Sequence, residues 1–157
     1  MIVTPVYWYQ APSVLKLIMD RLVCADGGNP DPTTTALKDA SKAKALELAG
    51  WHDPHHLAGR RSAIVVHGNT VGAETLRRSL TDWLHDRHLV QAGYGATIDR
   101  YIGYYEPYAT SHLALDEDKA LQQEVRNAAR LLIAAVDECR SGRTTAIAAT
   151  NGDPRPK

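Results

Sequence analysis

Three times along this chain a short apolar, β-branched run gives way to a turn and then to a stretch whose apolar residues recur every three or four positions. This repeated strand, loop and helix unit is the strongest constraint on the fold. A strand that is apolar at consecutive positions needs cover on both faces, and a crossover helix supplies it. The expected class is therefore α/β with a parallel sheet and right-handed connections. Ligands of such sheets bind beyond the carboxyl ends of the strands, so residues 5–13 and 67–74 are the loops to inspect.

The first strand is expected over residues 2–8, covered on both faces, with Pro5 removing a ladder donor near its end. Pro12 suits a first helical turn, and Val14, Leu15, Ile18, Met19 and Leu22 form the apolar stripe of the helix that follows. Lys16 and Asp20 make an i,i+4 pair on its other face. Residues 25–35, rich in Gly, Pro, Asn and Asp, read as a loop, and residues 36–48 as a helix with a thin apolar stripe. The second strand, residues 62–67, runs into Gly68-Asn69-Thr70-Val71-Gly72 and a helix presenting Leu76, Leu80, Trp83 and Leu84. The third spans 96–104. A long loop through Glu106 and Pro107 then reaches Asp116, the expected N-cap of a helix that keeps its period to Cys139 and stops at Gly142. Residues 143–157 have too little apolar surface to offset ordering entropy and are expected to be disordered, leaving one domain over 1–142.

A chain of 157 residues builds one core and buries about two-thirds of its unfolded surface. Its 18 basic and 18 acidic side chains balance, so no field exists to hold nucleic acid or an anionic membrane. The sequence has no long apolar run and no basic leader before its first strand, which gives a cytoplasmic expectation. Cys24 and Cys139 stand in no CxxC spacing and are expected to be reduced, buried structural cysteines. His52, Asp53, His55 and His56 are metal-ligand types, but Pro54 and the loop context favour a solvated turn, so no metal is expected. Zincin, P-loop and nucleophile-elbow motifs are absent from the sequence. Arg60-Arg61 and Arg77-Arg78 are candidates for an NADPH 2′-phosphate.

A three-stranded parallel sheet leaves apolar edges, and Met1 opens directly into one of them. The expectation is that the first strand pairs with another subunit, or that the chain is the carboxyl-terminal part of a longer five-unit domain.

Thr4-Pro5-Val6-Tyr7-Trp8, followed by Leu15-Lys16 and Asp20-Arg21, resembles the third-strand signature of flavodoxin-like NAD(P)H-dependent FMN reductases. Val66-His67-Gly68-Asn69, with Gly72 opening the next helix, is similar to that family's loop after its fourth strand. The stretch from Tyr101 to Tyr108 resembles the region after the fifth strand in one bacterial branch. The resemblance covers about residues 2–139 and implies a flavodoxin-like three-layer sheet of which this chain carries strands 3 to 5. It implies FMN as cofactor, NADPH or NADH as reductant, a small-molecule electron acceptor and a homodimer. The family's phosphate-binding loop follows its first strand, and no such loop precedes Met1.

The site residues implied are Pro5, Val6, Tyr7, Trp8, Tyr9 and Gln10, with the amides from Val6 to Gln10 at the ring's polar edge, and His67, Gly68, Asn69 and Gly72 on its other side. A flavin needs a flat apolar slot and fixed donors, which Tyr7, Trp8 and Tyr9 and the amides can supply. Three aromatics at a strand end are otherwise ordinary core and rim. His67 can donate to the flavin's O2 region or to a nicotinamide amide; a histidine satisfied by backbone is the equal alternative. Asn69 and Thr70 read as loop-shaping or ring-edge donors, and hydride transfer calls for no catalytic acid or base at the reacting carbon. The competing reading is a non-catalytic, truncated flavodoxin-like fragment or binding module.

Overall fold

The computed structural model describes residues 1–26, 39–49 and 55–142. The expected loop beyond Asp26, His52 and Asp53 of the histidine-rich run, and the expected tail at 143–157 lie outside these residues. The described chain is α/β with parallel strand pairing throughout its two sheets. Its elements are β1 (Ile2–Pro5), α1 (Ser13–Asp26), α2 (Ala40–Leu48), β2 (Arg61–Ser62), β3 (Ile64–Gly68), α3 (Ala73–Asp86), β4 (Val90–Gln91), β5 (Thr97–Tyr101), α4 (Ser111–Glu117) and α5 (Lys119–Arg140).

The main sheet has the order β1-β3-β5, and β2 pairs with β4 in a second, two-stranded sheet that sequence periodicity does not reveal. Ile64, Val65 and Val66 of β3 are fully buried, as the central strand of a layered sheet requires. Their side chains alternate. Ile64 and Val66 join Leu76, Leu80 and Leu84 of α3, with Leu15 and Met19 of α1 packed against them. Val65 faces the other way, onto Ile98 and Ala128 of α5. β5 is tied to both layers by half-buried ion pairs, Asp99 to Arg77 of α3 and Arg100 to Glu124 of α5, the latter bidentate at 2.8 and 2.9 Å.

Several expected boundaries move. β1 ends at Pro5 rather than Trp8, because Tyr7 turns back to bridge Gln10. The third strand is only Thr97–Tyr101, since Tyr94–Ala96 form a 3-10 turn and Gly103 takes φ +68. The long loop contains α4, and the N-cap of the last helix is Asp118, not Asp116: its side chain accepts from the Leu121 amide at 2.8 Å. Asp26, wholly buried at the end of α1, accepts from the Leu57 amide and so pins the turn that leads to β2.

Three burial expectations are corrected. Cys24 and Cys139 are both exposed, because each lies off the buried stripe of its helix. On α1, Val14, Ile18 and Leu22 are exposed along with Leu17, and only Leu15 and Met19 reach the core. β1 is not covered on both faces: Val3 is 55% exposed. It lies at the sheet edge, and the Ile2 and Val6 amides point to β3, bonding Ala63 and His67. By alternation the Val3 amide faces the open edge, where Pro5 has no donor to offer.

An open edge with an exposed valine invites strand addition. Val3→Lys should raise the monomer fraction in size-exclusion chromatography with light scattering, while changing unfolding free energy by no more than about 0.5 kcal/mol. An unchanged mass distribution would show that self-association does not use this edge.

Candidate functional site

The carboxyl ends of β1 and β3 open into a cavity of about 450 Å³. Pro5, Val6 and Tyr7 wall it on one side and His67, Gly68 and Asn69 on another. These six of the expected site residues are thus brought together. The pairing that aligns the strands also sets this arrangement: Pro5 stands in register with His67, and the Val6 amide donates to the His67 carbonyl at 2.9 Å. Gly68 permits the approach, since a Cβ there would lie 2.8 Å from Val6 Cγ1.

The remaining expected residues stand elsewhere. Trp8, 74% exposed, and Tyr9 both adopt positive φ and do not line this cavity, so the expected three-aromatic slot reduces to Tyr7. The expected row of ligand-facing amides is also shortened. Val6, Tyr7, Tyr9 and Gln10 donate to the carbonyls of His67, Gln10, Val71 and Tyr7, and the Trp8 amide finds no backbone acceptor among the described residues. Gln10 and Gly72 serve structure instead. Gln10 closes the turn against Tyr7, and Gly72 takes φ +104 as the N-cap of α3, beneath the backbone of Tyr9.

The third wall comes from α4 and the turn before it, through Tyr108, Ser111, His112 and Leu115. Asn69 holds this wall in place by donating through Nδ2 to Ser111 Oγ at 2.9 Å, and Ser111 Oγ donates to the Tyr108 carbonyl at 3.1 Å. Sequence reading missed these residues because they sit in what looks like a featureless loop. The Thr110-Ser111 step, a helix-start pair, was the available signal. Among the described residues, neither arginine nor lysine lines the cavity. Of the expected phosphate ligands, Arg77 is engaged by Asp99 and Arg78 by Glu74.

Desolvation lowers the pKa of His67 below the ordinary histidine value of 6.5. Its imidazole is therefore neutral at physiological pH, with one ring nitrogen a donor and the other an acceptor. The cavity has apolar walls at Val6, Ile102 and Leu115 and a polar edge at His67, Asn69, Ser111 and His112. It can hold a flat, neutral ring system and meet its edge atoms with hydrogen bonds.

Comparison with protein-family models, with curated proteins and with solved structures finds no match.

Two outcomes follow from this geometry. An alanine at Gly72 would place its Cβ 2.6 Å from the Tyr9 nitrogen at a backbone angle alanine avoids. Gly72→Ala should cost at least about 2 kcal/mol in urea denaturation. His67 binds a proton more readily when unfolded, so it contributes a loss of stability as pH falls from about 6.5 through its lowered folded-state value. In His67→Gln that part of the acid-side loss should disappear, measured as unfolding free energy between pH 7 and pH 5; parallel wild-type and variant profiles would contradict it.

Proposed function

We propose that this chain is a flavodoxin-like domain carrying the last three strand and helix units of that fold. Its cavity binds the isoalloxazine ring of FMN in an oxidoreductase fed by NADPH or NADH and discharged by a small electron acceptor. The observation that carries this reading is the meeting of Pro5, Val6 and Tyr7 with His67, Gly68 and Asn69 around one cavity at the carboxyl rim of a parallel sheet.

The fit extends to the ring and not to the phosphate. About 450 Å³ lies within the usual range of small-molecule sites. The helix start on the wall belongs to seven-residue α4, where Ser111 is already engaged by Asn69, and among the described residues no arginine or lysine lines the cavity. When bound, FMN accepts a hydride from the reduced nicotinamide and passes electrons on to the acceptor. The chain's own contribution is positional. Tyr7 offers an aromatic surface at the cavity wall. Asn69, its Nδ2 committed to Ser111, keeps Oδ1 as an acceptor for a ring N–H. Neutral His67 donates or accepts without adding charge, and Ile102 and Leu115 limit water.

A second reading, a non-catalytic flavodoxin-like fragment or binding module, is favoured by exposed apolar surface: Val3 on the open β1 edge, and Val14, Leu17 and Ile18 of α1. A homodimer that covers such surface belongs to either reading.

Titration of the purified chain with FMN and with riboflavin, followed by flavin fluorescence, tests the first reading, with NADPH oxidation recorded in the same samples. Both flavins should be quenched with affinities within about fivefold of each other, because among the described residues no arginine or lysine at the cavity awaits the phosphate. Tyr7→Ala should weaken both by roughly 2- to 10-fold, and Trp8→Ala by less. Failure of both flavins to bind would remove the flavin reading; binding without NADPH oxidation would favour the non-catalytic one.

A further inference from the structure

A second cavity, of about 570 Å³, opens between the β3–α3 loop and the turn after β5. It shares no lining residue with the first. Its walls are Tyr101, Tyr104 and Tyr105, with Glu106 beside them and Val71 and Ala114 behind. These tyrosines do not serve the core. Tyr105 is 94% exposed and Tyr101 and Tyr104 are about half exposed, while every fully buried hydrophobic residue of the described chain is aliphatic. Three solvent-facing aromatic rings beside one cavity add little to the core and suit recognition.

The turn that presents them is built. Ile102 is buried and donates to the Gly68 carbonyl at 2.9 Å, which ties the start of the turn to β3. Gly103, at φ +68, packs so close to Ser111 that a Cβ would lie 2.8 Å from its carbonyl oxygen, and the Glu106 amide closes the turn onto the Gly103 carbonyl at 3.0 Å. The Tyr101 hydroxyl accepts from the Gly72 amide at 3.3 Å, fixing that ring against the β3–α3 loop.

The ring geometry selects the ligand shape. Tyr101 and Tyr104 lie 5.9 Å apart at 70°, and Tyr104 and Tyr105 lie 5.1 Å apart at 85°. Walls at such angles form corners, whereas a flat neutral ring needs a slit between parallel walls. In each T-shaped contact one ring face meets its neighbour's edge, and the ring faces left over, with the Glu106 carboxylate, suit a compact, rounded and positive group. We infer that the Tyr101–Tyr104–Tyr105–Glu106 corner is a binding site for a small organic cation of the quaternary ammonium type. This site stands whether or not the first cavity takes a flavin.

The test compares choline with 3,3-dimethylbutan-1-ol, its neutral isostere, by calorimetric titration of the whole 157-residue chain. Choline should bind about tenfold more tightly than the isostere, since shape and apolar area are shared and only the cation differs. Tyr104→Leu, Tyr105→Leu and Glu106→Gln should each weaken choline by roughly 3- to 10-fold, and Tyr104→Phe, which keeps the π face, should retain it. Circular dichroism of each variant separates lost binding from lost fold. Equal affinity for the two ligands would reduce the corner to an apolar pocket and overturn the proposal. So would the absence of saturable choline binding, or wild-type affinity in a folded Tyr104→Leu protein.

Discussion

Everything at the rim of this molecule depends on the parallel pairing of β3 with a strand on each side. Ile64 to Gly68 run in register with Ile2 to Pro5 on one flank and with Thr97 to Tyr101 on the other. The chain therefore leaves the sheet three times at nearly the same level. The pairing persists one residue past the strands, through Val6 to His67 and Ile102 to Gly68. These two bonds carry the order of the core into the loops. Backbone geometry set by buried valine and isoleucine thereby fixes how far apart the two cavity walls stand, and a loop held this way needs little ordering when a ligand arrives.

Much of the architecture was legible from residue pattern. The runs of Val and Ile, the periodic leucines of α3 and the glycine at 72 led to a parallel α/β sheet, because each follows from local sterics and from the need to bury an apolar stripe. The misreadings share a cause. Whether a stripe is buried depends on what lies opposite it, and periodicity cannot report that. Val14, Ile18 and Leu22 have the spacing of a core face, yet only Leu15 and Met19 find partners. Cys24 and Cys139 were misjudged for the same reason. The β2–β4 pair escaped notice because two-residue strands have no periodicity to detect.

The site was legible in outline and misread in detail. Residues at the two strand ends converge because parallel topology demands it. What the amides of residues 6–10 do could not be read from their identities, since the turn that commits four of them to carbonyls depends on positive φ at Trp8 and Tyr9. The α4 wall was invisible because its position comes from Asn69 reaching Ser111 across 42 residues of chain. Such a contact is a tertiary fact with no local signature.

The separation of aliphatic core from aromatic rim gives the molecule two optical reporters with different jobs. Phenylalanine is absent from the sequence, and six of the seven tyrosines, at 7, 9, 101, 104, 105 and 108, lie on the loops and strand ends of the carboxyl rim. Trp83 is half-buried against the α3 side of the core, whereas Trp8 stands in solvent beside the first cavity. Tyrosine absorption and the Trp8 emission thus sense the rim, and Trp83 senses the packing beneath it. With the third tryptophan, Trp51, which lies outside the described residues, replaced by phenylalanine, loosening of the loops and melting of the core leave separate signatures in the ultraviolet spectrum of an unlabelled chain.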